Sequence, residues 1–443
     1  MQEHGIATRS VLRQTAFTRT RTARLGGPFV FRPGARRPGS AAEFRGRMPD
    51  VRIRDAPLPA STCRAYRPDM LALEPEPVES GSRWVSVVAA ALVAAALTGC
   101  VPQAGTSASD ETDAPSPDLA QRAGAHGDEE LLELIRPSFT ADHAQVAVAF
   151  IDGDEVRAAY LGADADTVFE LGSITKTATG MLLAEGIERG EVALGDPVGT
   201  HVALGDSPAA SVTFAQLSAH TSGLPMFPTD PDWLERVEPG FRAGEDVLDE
   251  SVAELLAQAA AEPVAADARP AYSNLGAALA GQALAAAAGT DFATLLEQRI
   301  LSPLGMDRSI LQVDDADVAP GLATGHLPDG RVAQPSTLAA YSPAGALAAP
   351  LGDVVEYARA VLDGPLASSA ALEPRADVNG RSGYFWVLRE SPEGHRIAQH
   401  GGVTAGFGSV LVIDRTAESA VIVLSNTGEP IDDVGDSLLA HLG

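Results

Sequence analysis

Residues 169–176 read FELGSITK, and the interpretation of the whole chain starts from this stretch. It begins with the apolar character of a short strand and becomes helical at about Ser173, directly after Gly172. Lys176 follows three residues later and so lies on the same helical face. The start of a helix places N–H groups and positive partial charge beside the serine oxygen, which favours a developing alkoxide. Serine is also common there for structural reasons, so the spacing alone indicates catalysis only weakly.

The lysine of this stretch is the only lysine in the chain, and the other 31 basic residues are arginines. Arginine stays charged at every accessible pH, whereas lysine can accept a proton or act as a compact ammonium beside a nucleophile. Lys176 therefore marks either a position that arginine could not fill or a chance survival at the surface. The neighbouring motifs have to decide between these two interpretations.

Two further clusters contain residues that could take part in catalysis. Residues 271–275 read AYSNL, in which Tyr272 and Asn274 are two positions apart and project to the same side of an extended loop. Residues 399–403 read QHGGV, on a predicted strand whose glycines would let a substrate approach the backbone. Taken alone, the first cluster is better explained by a helix cap with a packed tyrosine, and the second by a bulge or turn.

Together and in this order, the three clusters resemble the penicillin-recognising serine hydrolases. That family includes class C β-lactamases, D,D-carboxypeptidases, D-amino-acid amidases and serine esterases, and its pattern is S-x-x-K, then Y-x-N, then K-T-G or H-x-G. The resemblance runs from about residue 128 to the end. It includes residues 213–225 (TFAQLSAHTSGLP), 299–306 (RILSPLGM) and 343–347 (PAGAL).

The resemblance implies a catalytic group of three residues. Ser173 is the acylated nucleophile, and Lys176 assists its deprotonation. Tyr272 is the general base, with its phenol acidified by Lys176. The reaction would be acyl transfer through a covalent ester, followed by attack of water.

The resemblance also implies substrate-binding positions. Asn274 bonds the substrate amide, His400 takes the place of the third-motif lysine, and Gly402 lies along the substrate. The backbone N–H groups of Ser173 and Val403 form the oxyanion hole. The third motif departs from K-T-G, because the second position lacks a hydroxyl and neutral histidine adds no fixed charge. Binding of a substrate carboxylate is therefore in doubt, which favours an esterase or amidase over a β-lactamase.

The pattern of predicted elements is α/β plus all-α, with strands at both ends of the domain and helices in the middle. The α/β part covers about residues 128–172 and 370–443, and the helical part covers about 173–369. The resemblance implies the β-lactamase/transpeptidase-like fold, an antiparallel sheet flanked by helices with a helical insertion domain. A ligand cleft is expected where the two parts meet.

Charge and composition limit the function classes. The whole chain has a net charge of −27, although residues 1–70 contain 14 arginines and only 5 acidic residues. Such an acidic body would repel phosphate, so no nucleic-acid partner is expected. Neither a metal site nor another cofactor is implied. We expect a monomer that acts on a small-molecule or peptide substrate. The alternatives are a penicillin-binding sensor with little turnover and a non-catalytic structural lipoprotein.

The segment before the domain resembles a bacterial lipoprotein signal. Residues 83–100 contain an apolar run too short to span a bilayer, and the run ends in LTGC, which resembles a lipobox with Cys100 as the lipidated residue. A short buried helix with a core cysteine is the alternative. Residues 1–82 are then a basic N-terminal extension that is non-native or disordered, with the true start at Met70 or Val78, or else a genuine cytoplasmic arm. Residues 101–127 have the composition of a disordered tether. The expected location is extracytoplasmic, with a lipid anchor in the cell membrane.

Overall fold

The computed structural model describes residues 124–264, 270–375 and 381–443. The predicted basic extension, the predicted signal segment with Cys100, and most of the predicted tether lie outside the described residues. Within these three ranges, no helix is both long and apolar enough to cross a membrane.

The fold is built on a seven-stranded antiparallel sheet, accompanied by a small sheet of three strands. The strands in chain order are β1 (His126–Gly127), β2 (Val146–Asp152), β3 (Glu155–Leu161), β4 (Val168–Glu170), β5 (Ile310–Leu311), β6 (Leu347–Pro350), β7 (Val387–Glu390), β8 (Arg396–Val403), β9 (Gly408–Asp414) and β10 (Ser419–Ser425). The large sheet has the order β1-β3-β2-β10-β9-β8-β7, and the small one has the order β4-β6-β5.

The helices lie mainly between β4 and β7. In chain order they are α1 (Glu129–Ile135), α2 (Thr175–Glu188), α3 (Phe214–Ser218), α4 (Pro231–Ala243), α5 (Val252–Ala261), α6 (Asn274–Ala288), α7 (Phe292–Leu296), α8 (Ser302–Leu304), α9 (Leu351–Leu362) and α10 (Asp432–Leu442). Helices α2 and α6 are buried over most of their length, and their small residues permit close packing. A Cβ on Gly281 of α6, for example, would lie 2.2 Å from the Cβ of Pro343.

Strands β2 and β10 pair along their full length and bring the two ends of the domain together. Alternate residues of β2 enter different cores, as the period of a strand requires. Val148 and Phe150 pack with residues of α1 and α10. Ala149 and Ile151 pack on the opposite face, in the core that includes α9 and the helical part. Because helices cover both faces, these central strands are continuously apolar rather than alternating.

The predicted architecture is confirmed: an antiparallel sheet from both chain ends is flanked by helices and interrupted by a helical region. Two details differ. Residues 126–127, predicted as the end of the tether, form β1 and pair with β3. Strands β5 and β6 lie inside the stretch predicted to be helical, where they add to β4. Segments of two to four residues are too short to produce a recognisable period.

Candidate active site

Ser173 and Lys176 lie where strand β4 leads into helix α2. A 3₁₀ turn, Gly172–Ile174, precedes the α-helix, so the helix begins two residues later than predicted. Gly172 has a φ of +49°, and a Cβ there would lie 2.8 Å from the backbone nitrogen of Val403, so the turn requires glycine. The Nζ atom of Lys176 is 2.9 Å from Ser173 Oγ and 2.5 Å from the carbonyl oxygen of Ala344.

The environment of Lys176 favours a neutral amine. The residue has no exposed surface, and burial lowers its pKa well below the usual value for lysine. The described residues place no carboxylate in an ion pair with it. Lys176 Nζ donates to both Ser173 Oγ and the Ala344 carbonyl oxygen, and in its neutral form the same amine can accept the proton of the serine hydroxyl.

Tyr272 lies over the same lysine, at the surface of the cleft. Its ring centroid is 4.9 Å from Lys176 Nζ, and 37% of the residue is exposed. Burial of the phenol raises the pKa of Tyr272. A hydrogen bond with Ser173 lowers this pKa in part, and the negative charge of Asp432 raises it further. That Lys176 acidifies this phenol, with Tyr272 as the general base, stays a prediction.

Ser273 and His220 hold the tyrosine loop in place. The Ser273 hydroxyl donates to the carbonyl oxygen of Pro225 at 2.6 Å and accepts from the N–H of Gly276 at 2.8 Å, so it caps α6. The Ser273 N–H donates to Nδ1 of His220, and the imidazole packs against the Tyr272 ring with centroids 4.5 Å apart. His220 is therefore a structural hydrogen-bonding residue at this position.

Asn274 is the first residue of α6 and is half-buried beside Tyr272. Its N–H donates to the carbonyl oxygen of Met226 at 3.1 Å, which ties the start of the helix to the preceding loop. The predicted role of the Asn274 side chain in binding a substrate amide stays a prediction.

His400 lies on β8 and faces the tyrosine. Its ring is buried, with its centroid 6.4 Å from that of Tyr272, and its Nδ1 lies 2.6 Å from the carbonyl oxygen of Gly401. Burial, together with the nearby Lys176, lowers the pKa of His400 to about 4. The imidazole is therefore neutral at pH 7, in agreement with the expectation that it adds no fixed charge.

Residues 400–403 of β8 have one open edge. Strand β7 pairs with β8 only as far as Gln399, whereas β9 pairs along the other side as far as Val403. The Thr404 N–H donates to Phe407 across the β8–β9 hairpin. Since hydrogen-bonded and non-hydrogen-bonded pairs alternate in an antiparallel ladder, the N–H groups of Val403 and Gly401 point to the open edge.

The serine turn lies directly against this open edge. A Cβ on Gly402 would lie 3.0 Å from the Ser173 nitrogen and 2.1 Å from the carbonyl oxygen of Leu171. The hydroxyl of Ser409 on β9 donates to the same Leu171 oxygen at 2.7 Å. Gly172 and Gly402 therefore let the serine turn and β8 approach closely, because neither position has space for a side chain. This approach brings together the predicted oxyanion pair, the N–H groups of Ser173 and Val403.

The structure thus brings Ser173, Lys176, Tyr272, His400, Gly402 and Val403 together, with Asn274 next to Tyr272 in the chain. It adds three residues for which the sequence interpretation assigned no role in the cleft: Ser409, Ser273 and Asp432. Ser273 could have been found from its place between Tyr272 and the start of a helix. The other two carry no local signal, because only the packing of β9 and α10 brings them to the site. Among the described residues, no cluster of His, Cys, Asp or Glu could hold a metal ion.

A sheet from both chain ends, with a serine–lysine pair at its junction with a helical region, defines a serine hydrolase of the β-lactamase/transpeptidase-like fold. Comparison with known families gives the same class, since the sequence model of the Beta-lactamase family matches residues 134–442. The chain belongs to this family.

Similar proteins carry several names within this family. The chain is 31% identical over 148 residues to the D-alanyl-D-alanine-carboxypeptidase/endopeptidase AmpH of Escherichia coli K12, a match that covers 32% of this chain and 36% of that protein. It is 32% identical over 157 residues to Beta-lactamase-like protein 2 of Dictyostelium discoideum, which covers 34% of this chain and 27% of that protein. The matches therefore span only about a quarter to a third of these relatives.

Solved structures share the fold at low sequence identity. A class C β-lactamase in complex with cefoxitin superposes with a TM-score of 0.59 at 20% identity, covering 70% of this chain and 96% of that chain. A D-stereospecific amidohydrolase from Streptomyces sp. superposes with a TM-score of 0.54 at 22% identity, covering 64% of this chain and 89% of that chain.

Proposed function

We propose that this protein hydrolyses an amide or ester through an acyl-enzyme on Ser173. The observation that carries the proposal is the 2.9 Å contact between Ser173 Oγ and the Nζ of a fully buried lysine. This pair lies beside the oxyanion pair of N–H groups on Ser173 and Val403, where the negative charge of a tetrahedral intermediate would develop. Splitting the hydrolysis into acylation and deacylation replaces one difficult step by two easier ones.

In acylation, Ser173 Oγ attacks the substrate carbonyl carbon while Lys176 accepts the hydroxyl proton. Tyr272 is protonated at the start, because its pKa is raised, and it donates its proton to the departing nitrogen or oxygen. The ammonium of Lys176 then returns a proton to the phenolate. In deacylation, water attacks the ester carbonyl, its proton passes to the same pair of residues, and Ser173 leaves with a proton.

The substrate class that fits best has no carboxylate near the third motif. His400 is neutral at pH 7 and Gly401 has no hydroxyl, so neither can bind a carboxylate in the way a lysine and threonine would. We therefore place esters and amides ahead of β-lactams and D-Ala-D-Ala peptides, which both carry that group. The AmpH and D-stereospecific amidohydrolase names among similar proteins support acyl transfer in general, but the D-alanyl-D-alanine peptides in the first name belong to the class ranked lower here.

An intact-mass time course tests the proposal. The protein is mixed with a fluorophosphonate, with a short acyl ester and with a penicillin, beside Ser173→Ala and the exposed-serine control Ser437→Ala. We expect a fluorophosphonate adduct and ester turnover for the wild type and the control, and neither for Ser173→Ala. Labelling of Ser173→Ala at the wild-type rate would refute the assignment. A long-lived penicillin adduct without turnover of any substrate would favour the sensor function instead.

We also propose that the protein acts outside the cytoplasm as a lipid-anchored monomer. This rests on the sequence alone, where LTGC ends an apolar run and Cys100 is followed by a tether-like segment. Cys100→Ala should move the cell-made protein from the membrane fraction to the soluble fraction, and mass spectrometry should find no peptides from residues 1–69. Membrane association that survives this substitution would contradict the anchor.

A further inference from the structure

An acidic side chain from α10 lies beside Gly401, the position of the third motif that has no side chain of its own. A Cβ on Gly401 would lie 2.3 Å from Oδ1 and 2.7 Å from Oδ2 of Asp432, so the carboxylate fills the space that a side chain at 401 would occupy. Asp432 is the first residue of α10, and this helix packs on the face of the sheet to which position 401 points. The Asp432 carboxylate therefore lies against the Gly401 backbone, on the face of β8 opposite the His400 side chain.

The carboxylate is close enough to act on the catalytic group. Its charge contributes to the raised pKa of Tyr272, across the cleft from β8. The same open edge presents the Val403 N–H two residues further along. A substrate whose carbonyl oxygen sits between the N–H groups of Ser173 and Val403, and which extends along the strand, reaches the backbone position whose Cβ site Asp432 fills.

No positive charge balances Asp432 within the described part of the chain. Arg389 on β7 forms an ion pair with Asp436 of α10 at 2.6 Å, and not with Asp432. Lys176 and His400 are both driven towards their neutral forms by burial. Burial, followed by the charges of Asp436 and Asp433, raises the pKa of Asp432, so a cation bound beside it would relieve the cost of its ionised form.

We propose that Asp432 makes the Gly401 end of the cleft a cation-accepting subsite, which selects amides or esters bearing an ammonium group there and rejects those bearing a carboxylate. The inference rests on the proposed function, since it places the ammonium on the substrate of Ser173. An acidic group in a partly enclosed cleft discriminates in both directions, because attraction of one charge and repulsion of the other follow from the same field.

Substituted phenylboronic acids test the subsite without knowledge of the natural substrate. The Ser173 oxygen adds to boron and gives up its proton to Lys176, forming a tetrahedral adduct in which no other bond breaks. A series carries an aminomethyl, a carboxamide or a carboxylate group at the meta or para position. Affinity is measured by competition with fluorophosphonate labelling of Ser173. The variants are Asp432→Asn and, as matched control, Asp433→Asn, which removes an exposed carboxylate one residue along the same helix.

The wild type should bind the best ammonium compound about tenfold more tightly than its carboxamide analogue, and the carboxylate more weakly still, as expected for a partly screened charge interaction. Asp432→Asn should reduce the ammonium-to-carboxylate ratio at least about tenfold, whereas Asp433→Asn should leave it within about twofold. The ratio should also fall with added salt.

Equal affinity of the wild type for the ammonium and carboxylate compounds would overturn the proposal. So would a ratio that Asp432→Asn leaves unchanged. Failure of the proposed function has a different signature, because then neither the fluorophosphonate nor the uncharged carboxamide compound would react at Ser173.

Discussion

Replacing Gly402 by alanine should pull apart the two N–H groups of the oxyanion pair. The added Cβ would lie 2.1 Å from the carbonyl oxygen of Leu171, 2.5 Å from Ser409 Oγ and 3.0 Å from the Ser173 nitrogen. An ordinary carbon–oxygen contact is about 3.4 Å, so β8 and the serine turn must separate by roughly 1 Å. Misplacement of this size, or loss of one oxyanion donor, costs on the order of 10²–10³ in rate, or about 3–4 kcal/mol of transition-state stabilisation.

Stopped-flow acylation by a short chromogenic ester measures this effect directly. We expect the acylation rate constant of Gly402→Ala to fall at least about 10²-fold, while overpacking lowers the free energy of unfolding by only ~1–3 kcal/mol. Gly352→Ala is the matched control, because position 352 lies in α9 and a Cβ there would meet nothing within 4 Å. A folded Gly402→Ala protein that acylates within about threefold of the wild type would refute this account of the oxyanion pair.

Three further predictions concern the catalytic lysine, the buried histidines and the helix cap. Lys176→Met should slow acylation at least about 10²-fold, because the proton acceptor beside Ser173 is lost. It should not lower the melting temperature, because a buried amine is exchanged for an apolar chain of similar length. A large loss of thermal stability would contradict this. Acidification from pH 7 to 5 should lower the free energy of unfolding by about 2 kcal/mol for each of two histidines, because the pKa of His400 is lowered to about 4 and that of His220 to about 3. As the pH falls, the unfolded chain binds protons at these histidines before the folded protein does. Urea unfolding that gives equal stabilities at the two pH values would disprove this. Ser273→Ala should lower the free energy of unfolding by ~1–2 kcal/mol through loss of the α6 cap, and it should slow acylation because Tyr272 directly precedes the cap. Thermal unfolding and ester turnover measure the two effects, and unchanged values would show that the cap does not position the loop.

The parts of the site that could be predicted from the sequence are those set by local geometry. The contact between Ser173 and Lys176 follows from a spacing of three residues at the start of a helix, and the unique lysine made that spacing noticeable. The strands at the two chain ends were recognisable because their apolar runs are long enough to show a pattern. The position of β8 beside the serine turn, in contrast, came from the resemblance to a family and not from any local signal.

The parts that could not be predicted depend on tertiary packing. Burial raises the pKa of the Tyr272 phenol and lowers that of Lys176, and no sequence pattern reveals how deeply either group is buried. Asp432 reaches Gly401 only because α10 packs on the sheet in one register, and a one-residue shift would place a different side chain there. Strand β1 is two residues long and is fixed only by its partner β3, so its segment resembled a tether.

The pairing of β2 with β10 has a consequence for the order of events during synthesis. Strand β10 is synthesised long after the serine turn, and β8 and β9 join the sheet only through it. The serine turn is made roughly 250 residues earlier, an interval on the order of ten seconds or more at ordinary translation rates. Throughout that time Ser173 has no Val403 beside it, so the growing chain holds a nucleophile without an oxyanion hole. We expect reactivity to arise only after β8, β9 and β10 have been made, so that a product truncated before β8 is inert rather than partially active.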